Sequence, residues 1–588
     1  MTTNNLEMDS VLGSLFYGEI YDQRIFPFPR FSNEQSEMAK EMINAISKYL
    51  DEAVNSEDIE KAGEIPEKIR MGLGELGLMG LAVPEELGGM GLDYSLYSRV
   101  FAEVAATDAS IGTFLGAHQS IGYRAILNEG TDEQKKKWLP KLASGEHIAS
   151  FCLTEPGSGS DAYSIKTKAK DNKDGTYTIN GQKLWITNAG LAEIYSVYCK
   201  TDHEINGEIK EKISCFIVEK SMPGVSFGEK EDKLGIKGSE TRAVYFDNVI
   251  VPKENIIGEL GKGFKISMNV LNSGRLSLAS GCAAGIKSVL KLATEHASSR
   301  KQFDKPIKDF GIIQDKIADM AAFAYAAESM VYFTTGNMCG GMKDYYLETA
   351  ACKIFCSEML WKSVDMAMQI AGGNGYMNEY PYQRYMRDCR INLIFEGTNE
   401  ILRAFLALSG MKGPSESLKE LGKVSDVSNA LKDPIKSLGV LTDFAKGRIS
   451  KMMVSRSITK SHPRLEEWSH KFTQMLSAFA IDVENTLIKY GKHIIDNELP
   501  QKRIADMAIH LYSMITVLSR TTSILEDDNI SDEVKDYSFD LAEHSLRLSR
   551  NEIVKWHKKM GKNSDKQIQR ISDKACEGQS SLFEIMDY

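Results

Sequence analysis

Apolar residues recur at three- and four-residue steps along most of this chain, and the period changes once, in the middle. Between residues 33 and 142 the spacing is helical, interrupted at Pro66, Pro84 and the Gly88-Gly89 pair. Thr131 followed by Gln134 has the form of a capping box and opens a helix through Trp138 and Leu139. From about residue 150 to 257 an alternating pattern takes over, with strands expected at 195–199, 213–218 and 243–246. Residues 177–186 read as two strands around an Asn180-Gly181 turn. Helical spacing returns at Gly263 and predicts long helices over 264–299, 311–339 and 346–371. The Gly410-Met-Lys-Gly413-Pro414 stretch reads as the start of a linker, and Ile504, Met507, Ala508, Leu511, Ile515 and Leu518 mark helix again beyond it.

These shifts predict a mostly helical α+β multidomain protein. An N-terminal arm (1–30), where Pro27 and Pro29 oppose helix, precedes a helical domain (31–149). A β-barrel or sandwich (150–262) follows, then a four-helix-type domain (263–412), a linker (413–435) and a second helical domain (436–588). A chain of 588 residues is too long for one core, which agrees with that division.

Composition narrows the function classes. A net charge of −10 argues against a general nucleic-acid binder. Nine scattered cysteines form no framework, so a reducing compartment is expected, with Cys352 and Cys356 as core residues on one helix face. No histidine pair has metal-ligand spacing, and no metal is expected. With Glu7 and Asp9 and no arginine before Arg24, the N-terminus resembles neither a signal nor a transit peptide. No apolar run of about 18 residues is evident. A cytoplasmic location, or a processed chain that has lost its leader, is the expectation. Gly72-Leu-Gly74-Glu-Leu-Gly77 matches a dinucleotide fingerprint in letters, but a helix start at Pro66 precedes it where a strand is required. Close helix packing accounts for these glycines better.

The candidate chemistry lies between 369 and 402. A helix ends at Gly372-Gly373, and another starts at Thr398, a good cap, with Glu400 in its first turn. Between them stands Glu396, flanked by Ile394, Phe395 and Gly397. A carboxylate among apolar residues at a helix entrance has the features of a proton acceptor whose pKa is raised by exclusion of water. A cap or dipole role is the plain alternative. A second candidate is the Gly-Ser loop Thr154-Glu-Pro-Gly157-Ser-Gly159-Ser160, whose backbone N–H groups and hydroxyls suit an anionic or polar ligand.

Gln369-Ile-Ala-Gly372-Gly373, Arg387-Asp-Cys-Arg and Phe395-Glu-Gly397-Thr398-Asn-Glu400 closely resemble the C-terminal signature of the acyl-CoA dehydrogenases. That resemblance spans nearly all of 30–410 and implies that Glu396 is the general base, with Phe395 and Gly397 beside the substrate. The Phe151-Cys-Leu153-Thr154 segment through Gly159 and Ser160 is similar to the family's flavin-binding word. It implies that Leu153 and Thr154 lie against an FAD isoalloxazine, and Ser160 near the CoA part of the substrate. Trp185-Ile186-Thr187 resembles the word that places a ring and a hydroxyl at the flavin. Arg300, Gln302 and Phe303 resemble Arg-x-Gln-Phe-Gly, with Asp304 replacing the glycine. Together with 369–373 they imply FAD contacts across a homodimer. Asn272 and Arg275 sit in a segment that touches acyl-CoA in the family. Some members carry their base beside that arginine, where this chain has Gly274.

The extra C-terminal unit, Leu115-Gly-Ala-His118-Gln-Ser and Leu271-Asn-Ser-Gly-Arg point to the very-long-chain branch. This resemblance implies FAD-dependent α,β-dehydrogenation of long-chain acyl-CoA, with electrons passed to an electron-transfer flavoprotein. An oxidase of the same fold, an assembly protein retaining it and its DNA-associated relative are the competing readings. Lys446, Arg448, Lys451, Arg456, Lys460 and Arg464, with interleaved apolar residues and no acid, resemble an interfacial segment and predict peripheral membrane contact over 446–464.

Overall fold

The computed structural model describes residues 10–424 and 458–578, which fall into two compact units. Residues 23–402 and 516–545 belong to the first; 11–22, 403–515 and the residues from 546 onward belong to the second.

In the first unit the N-terminal helices are α3 (Asn33–Ala53), α4 (Ser56–Ala62), α5 (Glu67–Glu75), α6 (Tyr94–Thr107), α7 (Ala109–Gly116), α8 (Arg124–Glu129) and α9 (Asp132–Ser144). Two short helices come before them in the chain, α1 (Val11–Leu15), which belongs to the second unit, and α2 (Asp22–Ile25), inside the stretch expected to be irregular. The prolines stop helix only from Pro27 on, and Val11, Leu12 and Leu15 bury one face of α1. Thr131 and Gln134 form the expected capping box of α9, and Ser32 with Gln35 forms another on α3. The false nucleotide fingerprint is helical at its start. A Cβ on Gly72 would fall 2.0 Å from the Tyr49 hydroxyl and one on Gly74 2.6 Å from the Ser144 carbonyl, so both glycines permit close packing.

The central strands are β1 (Ala149–Cys152), β2 (Lys168–Asp171), β3 (Thr176–Thr187), β4 (Ile194–Ile205), β5 (Glu208–Glu219), β6 (Val225–Lys230), β7 (Thr241–Pro252) and β8 (Ile256–Ile257). They form one sheet in the order β6-β7-β3-β2-β4-β5-β8, with β1 added in parallel beside β4. Asn180-Gly181 does not turn. β3 runs straight through it, and the register against β7 slips there because Gly181 takes φ +147° against Thr167. The tight hairpin turn is Asn206-Gly207, both at positive φ, joining β4 to β5.

Helices α10 (Gly263–Ser299), α11 (Gly311–Cys339) and α12 (Tyr346–Ala371) occupy the three predicted spans and pack on one another, and α10 and α11 also pack on α6. Contrary to the expectation that no such run exists, an 18-residue window of α10 is apolar enough by composition to cross a membrane, with mean hydropathy 1.3. Over half of that window is buried, and along the whole helix Ile266, Val270, Ile286 and Val289 are buried, so α10 is a core helix. Cys352 and Cys356 are buried as expected. The short helices α13 (Gly373–Tyr376) and α14 (Tyr382–Cys389) lead to α15 (Asn399–Val424).

The linker expected from Gly410 onward is helical as far as Val424. Its glycines serve packing within the second unit. A Cβ at Gly410 would strike the Phe16 ring, and one at Gly413 the Tyr17 hydroxyl. The remaining α-helices among the described residues are α16 (Glu466–Tyr490), α17 (Glu498–Leu525), α18 (Asp532–Gly561) and α19 (Asp565–Cys576). The unit boundary differs from a single 436–588 domain. The Thr521 and Tyr325 hydroxyls lie 2.9 Å apart, and Ser545 Oγ donates to the Ala322 carbonyl at 3.0 Å, which ties 516–545 to α11. The rest of the expected linker, 425–435, and the basic stretch 446–457 lie outside the described residues.

Candidate active site

Glu396 sits in the turn between α14 and α15 at φ +59°, a region that few non-glycine residues occupy, and Gly397 follows at φ +91°. Two buried cations hold this turn through its carbonyls. Arg275 of α10 donates from Nε to the Glu396 carbonyl at 3.2 Å and from Nη1 to Asn272 Oδ1 at 2.9 Å. Lys353 of α12 donates from Nζ to the Gly397 carbonyl at 2.8 Å and to Asn399 Oδ1 at 2.7 Å. Thr398 caps α15, accepting at Oγ1 from the Ile401 N–H at 3.3 Å.

The carboxylate itself is free to react. Glu396 Oε2 is buried and has no hydrogen-bond partner among the described residues. Burial pushes its pKa up to about 7, while Arg275 and then Lys353 oppose the rise. Burial likewise lowers Lys353 to about 8 and Arg275 to about 10. The space for the carboxylate comes from Gly274, where a Cβ would lie 2.6 Å from Oε2.

Glu396, Phe395, Gly274 and Thr187 line one cavity of about 150 Å³. Its wall is mostly small and apolar, with Ala105, Gly112, Gly116, Ala117 and Gly281 contributed by α6, α7, the turn after it and α10. Such a wall excludes water from a carboxylate and accommodates a hydrocarbon chain.

The other expected positions separate into two regions. Near Thr187, the Leu184 N–H donates to the Thr154 carbonyl at 2.9 Å, and Ser150 Oγ to the Thr187 carbonyl at 2.9 Å. This brings Phe151, Leu153, Thr154 and Trp185 to one end of the sheet. The register slip between Lys183 and Ile186 puts Trp185 at φ +56° and leaves its indole 63% exposed. Leu153 and Ile186 are core residues, whereas Gly159 and Ser160 are exposed on the loop. Beneath that loop Lys183 and Glu155 form a buried ion pair at 2.7 Å, and Glu155 also accepts from the Lys166 and Thr167 N–H groups. The second region holds Arg300, Gln302 and Phe303 after α10 and Gln369, Gly372 and Gly373 at the end of α12. All are exposed, Phe303 at 88%, and none lines the cavity of Glu396. Glu400 is exposed in the first turn of α15. Of the arginine-rich word, Arg387 pairs with Glu60, and Asp388 Oδ1 accepts from the Ile236 N–H at 2.5 Å.

Lys353 and Asn399 went unread in the sequence. The one signal was a lysine inside an apolar run of the helix, between Cys352 and Ile354. Its partners lie more than forty residues away.

The acyl-CoA dehydrogenase N-terminal, middle and C-terminal domain families match residues 32–146, 150–249 and 261–410. The ACAD9/ACADV C-terminal domain matches 463–581. The very long-chain specific acyl-CoA dehydrogenase, mitochondrial, of Bos taurus is 43% identical over 532 residues, covering 89% of this chain and 80% of that protein. A probable acyl-CoA dehydrogenase of Bacillus subtilis is 38% identical, covering 87% of this chain and 84% of that protein. Among solved structures, an acyl-CoA dehydrogenase complexed with FAD from Bacillus anthracis superposes with a TM-score of 0.78. It is 33% identical and covers 95% of this chain and 94% of that one. With family matches along most of residues 32–410 and a relative 43% identical over 532 residues, the chain belongs to the acyl-CoA dehydrogenase family.

Proposed function

We propose that this protein is an FAD-dependent dehydrogenase that converts long-chain acyl-CoA to the trans-2-enoyl-CoA and passes the electrons to an electron-transfer flavoprotein. The observation that carries this reading is the unpartnered Oε2 of Glu396, buried against an apolar cavity with its pKa near 7.

The residues at the sheet end fit a flavin. An exposed indole at Trp185 offers a flat apolar face, and Thr187 brings a hydroxyl to the cavity that Glu396 also lines. Gly157 and Gly159 leave the neighbouring backbone open, since a Cβ on either would meet nothing within 4 Å. When bound, the flavin accepts the hydride that leaves the β-carbon.

The protein's part is the proton and the geometry. Glu396 takes the α-proton as general base, and near neutral pH a group with a pKa of about 7 is both deprotonated enough and basic enough for that task. Arg275 and Lys353 fix the carbonyls of Glu396 and Gly397, which sets the direction of the carboxylate. The apolar wall keeps water from the base, and its small residues favour a long hydrocarbon chain over a short, bulky one. The exposed Arg300, Phe303 and Gly372-Gly373 support a homodimer in which each subunit contributes to its neighbour's FAD.

A chain-length series from C4 to C20 with a dye acceptor tests the substrate. Turnover peaking at C14 or longer supports the reading, and turnover confined to C4–C8 refutes it. Peroxide release in air at the dye-reduction rate would identify an oxidase instead.

A further inference from the structure

The cavity beneath Glu396 has a second, charged end. Ser56, Asp108, Arg384, Tyr385 and Asp388 line it there. Ser56 and Arg384 also line a surface groove with Asp51, Glu57 and Glu379, so the far end of the cavity borders a wet, polar surface. The helices that wall the cavity between these residues and Glu396 pack closely. A Cβ on Gly112 would lie 2.9 Å from Ala105 Cα, and one on Gly281 3.0 Å from Ala105 Cβ.

The charged end has spare bonding capacity. Asp108 is engaged as the cap of α7, accepting at Oδ1 from the Ser110 and Ile111 N–H groups at 2.8 and 3.0 Å. Asp388 uses Oδ1 for the Ile236 N–H, and its Oδ2 has no partner among the described residues. Burial pushes Asp388 up to about 6, and the nearby Asp108 carboxylate adds to the rise. Arg384 makes no hydrogen bond or ion pair among the described residues, although its charge is felt by Asp108 and Tyr385. A terminal methyl placed here would desolvate charged groups and return nothing. A hydroxyl both donates, to Asp388 Oδ2, and accepts, from the Arg384 guanidinium. A carboxylate would add a third negative charge beside two carboxylates and one cation.

We propose that this end of the cavity is a subsite for the ω-terminus of long acyl chains, and that ω-hydroxyacyl-CoA thioesters are substrates. The ω-hydroxyl is bound and not altered, and the reaction remains removal of the α-proton and β-hydride. This inference rests on the dehydrogenase reading above.

The test uses the flavin-loaded enzyme and paired substrates, plain and ω-hydroxylated, at C8, C12, C16 and C20. At short lengths the hydroxyl ends among apolar atoms and lowers kcat/KM by about tenfold or more. At C16 or C20 that penalty falls below about threefold, because the hydroxyl reaches polar partners. Arg384→Met restores the penalty at the long lengths, with plain C8 kinetics and the melting temperature serving as checks on the fold, and Arg384→Lys restores it only in part. An equal penalty at every length overturns the proposal. So does an Arg384→Met enzyme with the wild-type pattern, or an ω-carboxyl chain that outperforms the hydroxyl one. The plain series tests the dehydrogenase reading separately. No turnover of any plain thioester overturns both, whereas normal plain turnover with a flat penalty overturns the subsite alone.

Discussion

Gly274 makes room for Glu396: a Cβ on the glycine would stand 2.6 Å from Oε2 and 2.8 Å from Cδ of the carboxyl group. Gly274→Ala therefore pushes the base out of line without touching the flavin residues. The expected result is a loss of kcat of roughly 10²-fold with flavin content retained. Stopped-flow flavin reduction and the absorbance of the purified variant check both halves.

The pH dependence follows from the direction of the Glu396 shift. Burial raises the group to about 7, and only its deprotonated form accepts a proton, so kcat/KM rises with pH and levels off above that value. A profile flat from pH 5.5 to 8.5 would contradict the assignment.

Lys353 helps set that limb. Its ammonium lowers the Glu396 pKa and bonds the Gly397 carbonyl and Asn399. Lys353→Met removes a positive charge, so the acidic limb moves to higher pH, and it leaves two buried acceptors short of a donor at a cost of about 1–3 kcal/mol. Lys353→Arg keeps the charge and holds the limb closer to its original place. Thermal denaturation with a pH–rate profile separates the two effects.

The loop beside the flavin residues depends on a buried pair. Lys183 is fully buried and bonds Glu155 at 2.7 Å. Lys183→Met strands that carboxylate and destabilises the protein by about 3–5 kcal/mol, measurable as a lower unfolding midpoint.

Local signals in the sequence carried far. The spans of α10, α11 and α12, the Thr131 capping box and the Thr398 cap follow from periodicity and short-range chemistry, and the structure has them. What failed depended on distant partners. Asn180-Gly181 has the letters of a hairpin turn, yet Thr167 and β7 hold it as a bulge in an unbroken strand. Asn206-Gly207 carries the same letters and does turn, because β4 and β5 pair on either side. Gly410 and Gly413 look like linker residues until Phe16 and Tyr17 are seen against them. The same reason hid Lys353, whose role exists only once α12 faces the start of α15.

The most direct test mixes the flavin-loaded protein anaerobically with palmitoyl-CoA and follows the flavin absorbance. The wild type is expected to bleach, while Glu396→Gln binds the thioester and bleaches about 10²–10⁴-fold more slowly. A Glu396→Gln protein that bleaches at the wild-type rate, or a wild type that takes up no flavin, would contradict the account.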